Sequence, residues 1–60
     1  MDPNPRQQTL LAEVRARGSM GIDALAQLLD VTPQTVRRDV GALADAGLLV
    51  RYHGSVGVPS

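Results

Sequence analysis

Val31-Thr32-Pro33-Gln34-Thr35-Val36-Arg37-Arg38-Asp39-Val40 carries both the start signals of a helix and its apolar face. Thr32 is a side-chain cap, and Pro33 suits the first helical position, where a missing N–H costs nothing. Val31 before the cap and Val36 at the fourth helical position form a hydrophobic staple, which sets the angle at which the helix leaves its turn. Val36, Val40 and Leu43 lie within about 60° of one another at the helical period. They mark a buried face. Gln34 and Arg38 lie opposite, with Thr35 and Arg37 flanking. The helix is predicted from Pro33 to about Ala46, with Gly47 as its stop.

Working back from that helix, Ile22, Leu25, Ala26 and Leu29 repeat at i, i+3, i+4 and i+7. That is an amphipathic helix of about two turns. Asp23 suits the positive end of its dipole, and Asp30-Val31 breaks the pattern. Further back, Asn4, Pro5 and Gln7 form a capping-box variant that starts a helix over about residues 5–17. Leu10, Leu11 and Val14 share its buried face, Glu13 and Arg17 pair on the outer one, and Gly18 ends it. Ser19-Met20-Gly21 is a short connection with a strand-like Met20. Beyond the third helix the period changes. Leu48–Tyr52 reads as a strand, His53-Gly54 as a turn, and Ser55–Val58 as a return strand thinned by glycine. The predicted fold is mainly α with a small β-hairpin: a winged helix-turn-helix of three helices plus a wing, filling residues 1–60. Pro59-Ser60 reads as the start of a linker or a cut point.

Composition narrows the function. The chain has 60 residues, 43% hydrophobic and 2% aromatic, with Tyr52 the single aromatic. A chain this short buries only about 60% of the surface it exposes when unfolded. Without cysteine there is no disulfide framework and no thiolate zinc site. The longest apolar run, Leu48-Leu49-Val50, is far too short to span a bilayer. The N-terminus lacks the basic and apolar regions of a secretory signal, so a soluble, cytoplasmic protein with no membrane partner is expected. His53 has no second histidine or cysteine to share a metal with, and no nucleophile or orienting partner for catalysis. No enzyme, no metal and no cofactor are expected.

Six arginines balance six acids, with no lysine. Binding depends on where charge sits more than on its sum. Residues 32–38 carry two positive charges and no negative one, whereas 19–31 carry Asp23 and Asp30 and no positive one. In a helix-turn-helix the start of the second helix enters the DNA major groove. Thr32 and Thr35 offer hydroxyls beside backbone N–H groups that hold phosphate. Gln34 suits adenine, and Arg37 or Arg38 suits guanine O6 and N7. The candidate DNA-binding residues are Thr32, Pro33, Gln34, Thr35, Arg37 and Arg38, with Arg51 and His53 on the wing. The plainer readings are a solvated basic face with an Arg38–Asp45 contact, an Arg51 stem covering apolar surface, and a turn role for His53. The alternative function is a protein-interaction module, which calls for an exposed apolar stripe on the third helix or wing. Gly41 inside that helix costs about 1 kcal/mol relative to alanine.

Thr32-Pro33-Gln34-Thr35-Val36-Arg37-Arg38-Asp39-Val40, then Leu43, Gly47-Leu48-Leu49, Arg51 and His53-Gly54, resembles the DeoR family of bacterial transcriptional regulators. Arg6-Gln7-Gln8 with Leu10-Leu11, and Leu25-Ala26-Gln27-Leu28-Leu29, are similar to its opening pattern. The phrase running into Arg51-Tyr52-His53-Gly54 is most like the glycerol-3-phosphate regulon repressor branch. The resemblance covers about residues 5–58. It implies the operator-reading head of a repressor of sugar or glycerol-phosphate catabolism, acting on double-stranded DNA in the bacterial cytoplasm. By position it assigns DNA contact to Thr32, Gln34, Thr35, Arg37 and Arg38, with Arg51 and His53 on the wing. It also implies a larger C-terminal domain, absent from this chain, that binds a phosphorylated sugar and oligomerises. The isolated domain is then expected to be monomeric and the full-length protein a homo-oligomer. Ser55 departs from the family pattern, which usually has a second glycine after His-Gly; serine tolerates left-handed backbone less well.

Overall fold

A computed structural model describes residues 2–59. Met1, at the start of the segment read as no secretory signal, and Ser60, in the segment read as a linker, lie outside the described residues. The elements run α1 (Pro5–Arg17), β1 (Ser19–Gly21), α2 (Ile22–Leu29), α3 (Pro33–Asp45), β2 (Val50–Tyr52) and β3 (Ser55–Gly57).

Each helix start follows from local chemistry. The Asn4 side chain accepts from the Gln7 N–H at 2.8 Å, and the Gln7 side chain accepts from the Asn4 N–H at 3.1 Å, a complete capping box. Thr32 Oγ1 accepts from the Thr35 N–H at 3.3 Å and opens α3. The first N–H of α2 has no side-chain cap; Ile22 instead donates to the Gly54 carbonyl at 3.1 Å. That bond ties the wing turn to the helix-turn-helix.

Helix ends use left-handed residues. After α3, Gly47 (φ 78°) lets the Leu48 N–H reach the Leu43 carbonyl at 2.9 Å and its own N–H reach Ala44, a Schellman motif. After α2 the same motif is built on Asp30, at φ 55° and ψ 48°, with the Val31 N–H on the Ala26 carbonyl at 3.0 Å. Asp30 is the one non-glycine with positive φ among the described residues. In the wing the positive φ belongs to Gly54 (78°), and Ser55 lies in extended β3. The serine that departs from the family pattern therefore bears no left-handed strain.

The core joins Leu10, Leu11 and Val14 of α1, Ile22, Leu25 and Ala26 of α2, and Val36, Val40 and Leu43 of α3 to Leu49 and Val56. With no Phe or Trp it is built from aliphatic chains, its Leu, Ile and Val side chains each worth about 1.5–3 kcal/mol when fully buried. The expected two-stranded hairpin is one strand short. Ser19–Gly21 is a strand, and the antiparallel order is β1-β3-β2. Met20 faces Val56 and Gly21 faces Ser55 on one side of β3; Arg51 faces Val56 and Tyr52 faces Ser55 on the other. The glycine-thinned return strand is thus the central one. Its glycine has a steric reason: a Cβ on Gly57 would sit 2.9 Å from the Tyr52 ring and 3.4 Å from the Gly18 carbonyl.

Candidate nucleic-acid interface

The Thr32 cap opens α3, Val31 packs against the core, and Val36, Asp39, Val40 and Leu43 face inward. That choice leaves Thr32, Pro33, Gln34, Arg37 and Arg38 exposed and Thr35 half-buried. Thr32 Oγ1 lies 3.1 Å from Thr35 Oγ1, so the two hydroxyls form one small polar cluster at the helix start. Arg51 and His53 are exposed on the wing.

The wing and α3 enclose an open cleft of about 390 Å³. Arg37, Arg51, Tyr52 and His53 line it, over a floor that includes Ile22 and Val40. The structure thus brings the two wing candidates together with Arg37. Thr32, Gln34, Thr35 and Arg38 lie outside that cleft. Arg51 shares the helix-facing side of the sheet with Val56 and extends its guanidinium toward α3. A Cβ on Gly41 would stand 4.0 Å from Arg51 Nη1, ordinary contact distance. Gly41 is therefore not needed for clearance.

Charge pairing sharpens the polarity. Among the described residues the ion pairs are Arg6–Asp39 and Glu13–Arg17. The Arg38–Asp45 contact of the plainer reading is not among them. Among the described residues, Arg37, Arg38 and Arg51 enter no ion pair, and Arg15 is the other such arginine. The acids Asp23 and Asp30 line a separate shallow groove between α2 and Pro33.

Asp39 is the residue that sequence reasoning missed. It is 2% exposed and sits where the stripe of Val36, Val40 and Leu43 calls for an apolar side chain. Two donors of Arg6 bind it, one to each carboxylate oxygen, and Gln7 Nε2 donates to Oδ1 at 3.1 Å. The Arg6 bonds hold the Asp39 carboxyl below the usual carboxylate range; burial opposes them, and Gln7 and the nearby Arg38 charge reinforce them. The same hydrogen bond raises Arg6. An acid on a core stripe, with Arg-Gln at the start of another helix, was the available signal.

Large exposed apolar side chains are Leu28 on α2 and Tyr52 on β2. Neither lies on α3, and Tyr52 stands alone on the wing, so they form no stripe on α3 or the wing, the feature that a protein-interaction reading calls for. No group of three or more His, Cys, Asp or Glu among the described residues is arranged to hold a metal. No helix there is long and apolar enough to cross a membrane.

This arrangement matches a known sequence family. The model of the DeoR-like helix-turn-helix domain covers residues 6–60. The chain belongs to that family. Among curated relatives, it is 54% identical over 54 residues to the HTH-type transcriptional repressor CsqR of Escherichia coli K12, covering 90% of this chain and 21% of that protein. It is 38% identical over 60 residues to the glycerol-3-phosphate regulon repressor of Haemophilus influenzae, covering 100% and 24%. To the L-fucose operon activator of the same organism it is 41% identical over 51 residues, covering 85% and 20%. The chain therefore spans about a quarter or less of the length of these relatives. They are transcriptional regulators, and none is named as an enzyme. No solved structure matches the chain.

Proposed function

We propose that this domain binds double-stranded DNA and reads an operator sequence through the major groove with the first turns of α3. The observation that carries the reading is the set of three exposed arginines without ion-pair partners among the described residues: Arg37 and Arg38 following the Thr32–Thr35 hydroxyls on α3, and Arg51 with Arg37 in the cleft under the wing. Gln34 and one of the two α3 arginines read base edges. The other arginine, the Thr32 and Thr35 hydroxyls beside Pro33, and Arg51 and His53 on the wing hold the backbone. Membership of the DeoR-like family supports this reading, as do relatives named for repression and activation of operons.

The parent protein is proposed to be a bacterial, cytoplasmic repressor of sugar or glycerol-phosphate catabolism. In it, a further C-terminal domain would bind a phosphorylated sugar and make a homo-oligomer. The isolated domain is monomeric in this reading, and half-site recognition comes from dimers.

Selection of bound sequences from a random DNA pool, with the domain artificially dimerised, tests function and reports the operator together. Log affinity against log salt is expected to fall by about 0.9 per phosphate neutralised. Arg38→Ala, if that arginine reads guanine, relaxes preference at one position and weakens binding by about 1–3 kcal/mol. A flat salt response, unchanged when both Arg37 and Arg38 become alanine, refutes the proposal.

A further inference from the structure

Asp39 is the only acid between Asp30 and Asp45, and it follows Arg38 directly in the chain. A carboxylate beside a phosphate-seeking arginine is a competitor for it. The fold removes that competitor. Asp39 is turned to the α1 side of α3, where its oxygens accept from Arg6 Nε, Arg6 Nη2 at 3.0 Å and Gln7 Nε2 at 3.1 Å. A carboxylate offers about four acceptor sites, so three are filled from α1. A buried carboxylate cannot stay unpaired. Without Arg6, the cation left to it is Arg38, the preceding residue of α3, whose charge already acts on Asp39.

We propose that Arg6 is a positioning residue for nucleic-acid recognition: it occupies the Asp39 carboxylate on the α1 face and thereby leaves Arg38 free for DNA. The proposal rests on the reading of α3 as the DNA-facing helix. Arg6 itself touches no DNA in this scheme. Its removal turns Asp39 toward Arg38 and withdraws one cation from the interface.

The test is titration of a fluorescent duplex of about 20 base pairs at salt from about 50 to 200 mM, where the log–log slope counts neutralised phosphates at about 0.9 each. Arg6→Ala flattens the slope by about that amount. Arg6→Ala with Asp39→Asn recovers the wild-type slope, although it restores no ion pair. Arg17→Ala makes the same charge change at the other ion pair and keeps the wild-type slope. Circular dichroism at the titration temperature confirms that each variant is folded. A folded Arg6→Ala with the wild-type slope overturns the proposal, as does a double variant that stays flat.

Arginine Nε–H NMR on Asp39→Asn provides a second measurement that does not depend on Arg6→Ala folding. The Arg6 resonance shifts while that of Arg38 stays; an Arg38 resonance that moves as far as Arg6 overturns the proposal. Wild-type chain with no salt-dependent binding to the duplex overturns the DNA reading, and this proposal with it. Loss of the slope difference alone overturns only the proposal.

Discussion

Replacing Asp39 by asparagine keeps the shape of a buried side chain and removes its charge. The carboxylate accepts two hydrogen bonds from a guanidinium and one from an amide. Asparagine presents an NH2 where one of those oxygens stood, so at least one Arg6 donor meets a donor. Hydrogen bonds to charged groups contribute about 1.5–3 kcal/mol net. The Arg6 side chain is 40% exposed, so water screens its share and the lower half of that range applies. The expected loss is about 2 kcal/mol at pH 7, against a total of about 3–5 kcal/mol for so small a core. At about 4–8 °C per kcal/mol for this size, Tm falls by roughly 8–16 °C.

The pH dependence has a definite sign. The folded-state pKa of Asp39 is lowered. Its contribution is therefore complete above the ordinary aspartate value of about 3.9 and disappears as pH falls through the lower folded value. Asparagine has no such contribution to lose. Urea unfolding of both proteins at pH 7, 4 and 3 reads the difference directly. The gap between them is constant from pH 7 to about 5 and narrows below about pH 4. A variant within about 0.3 kcal/mol of wild type at pH 7, or a gap at pH 3 equal to that at pH 7, refutes the reasoning.

Gly41→Ala stabilises the domain by about 0.5–1 kcal/mol, because the new methyl meets only ordinary contact with Arg51; a lower Tm refutes that account. Asp30→Gly relieves a left-handed aspartate and removes a negative charge from the carbonyl end of α2. Glycine's greater unfolded-state freedom offsets part of the gain, leaving about 1 kcal/mol by urea unfolding. Gly57→Ala pushes the Tyr52 ring aside and costs about 1 kcal/mol, read as a lower Tm together with a changed Tyr52 ring resonance.

Much of the fold was legible because its signals are local. Thr32-Pro33 and Asn4-x-x-Gln7 each satisfy helix-start donors within one turn, and both caps form as the spacing predicts. The apolar stripes of all three helices also follow from short-range periodicity. Strand β1 was legible only as a strand-like Met20 in a short connection. Three residues carry too little alternation to identify a strand, and Ser19–Gly21 takes its identity from pairing with residues near the other end of the chain. The part played by Asp39 was hidden for the same reason, since its partners lie on α1. The outward face of α3 was readable by elimination once Val36, Val40 and Leu43 were placed inside. The grouping of Arg37 with Arg51 and His53 was not, because it depends on where the sheet lays the wing against the helix.

The central position of β3 also bears on how the domain folds. A wing built as a local hairpin could zip from its turn within microseconds, before the helices dock. Here β3 completes its ladder only when Met20 meets Val56, and the wing turn is held only when Gly54 meets Ile22. Both closures join distant parts of the chain, and the entropy of forming such loops places them late on the folding route. The basic cleft between wing and α3 is therefore a late product of folding. Amide exchange in β3, which is bonded on both sides, reports the integrity of the ladder that joins β1 to the wing.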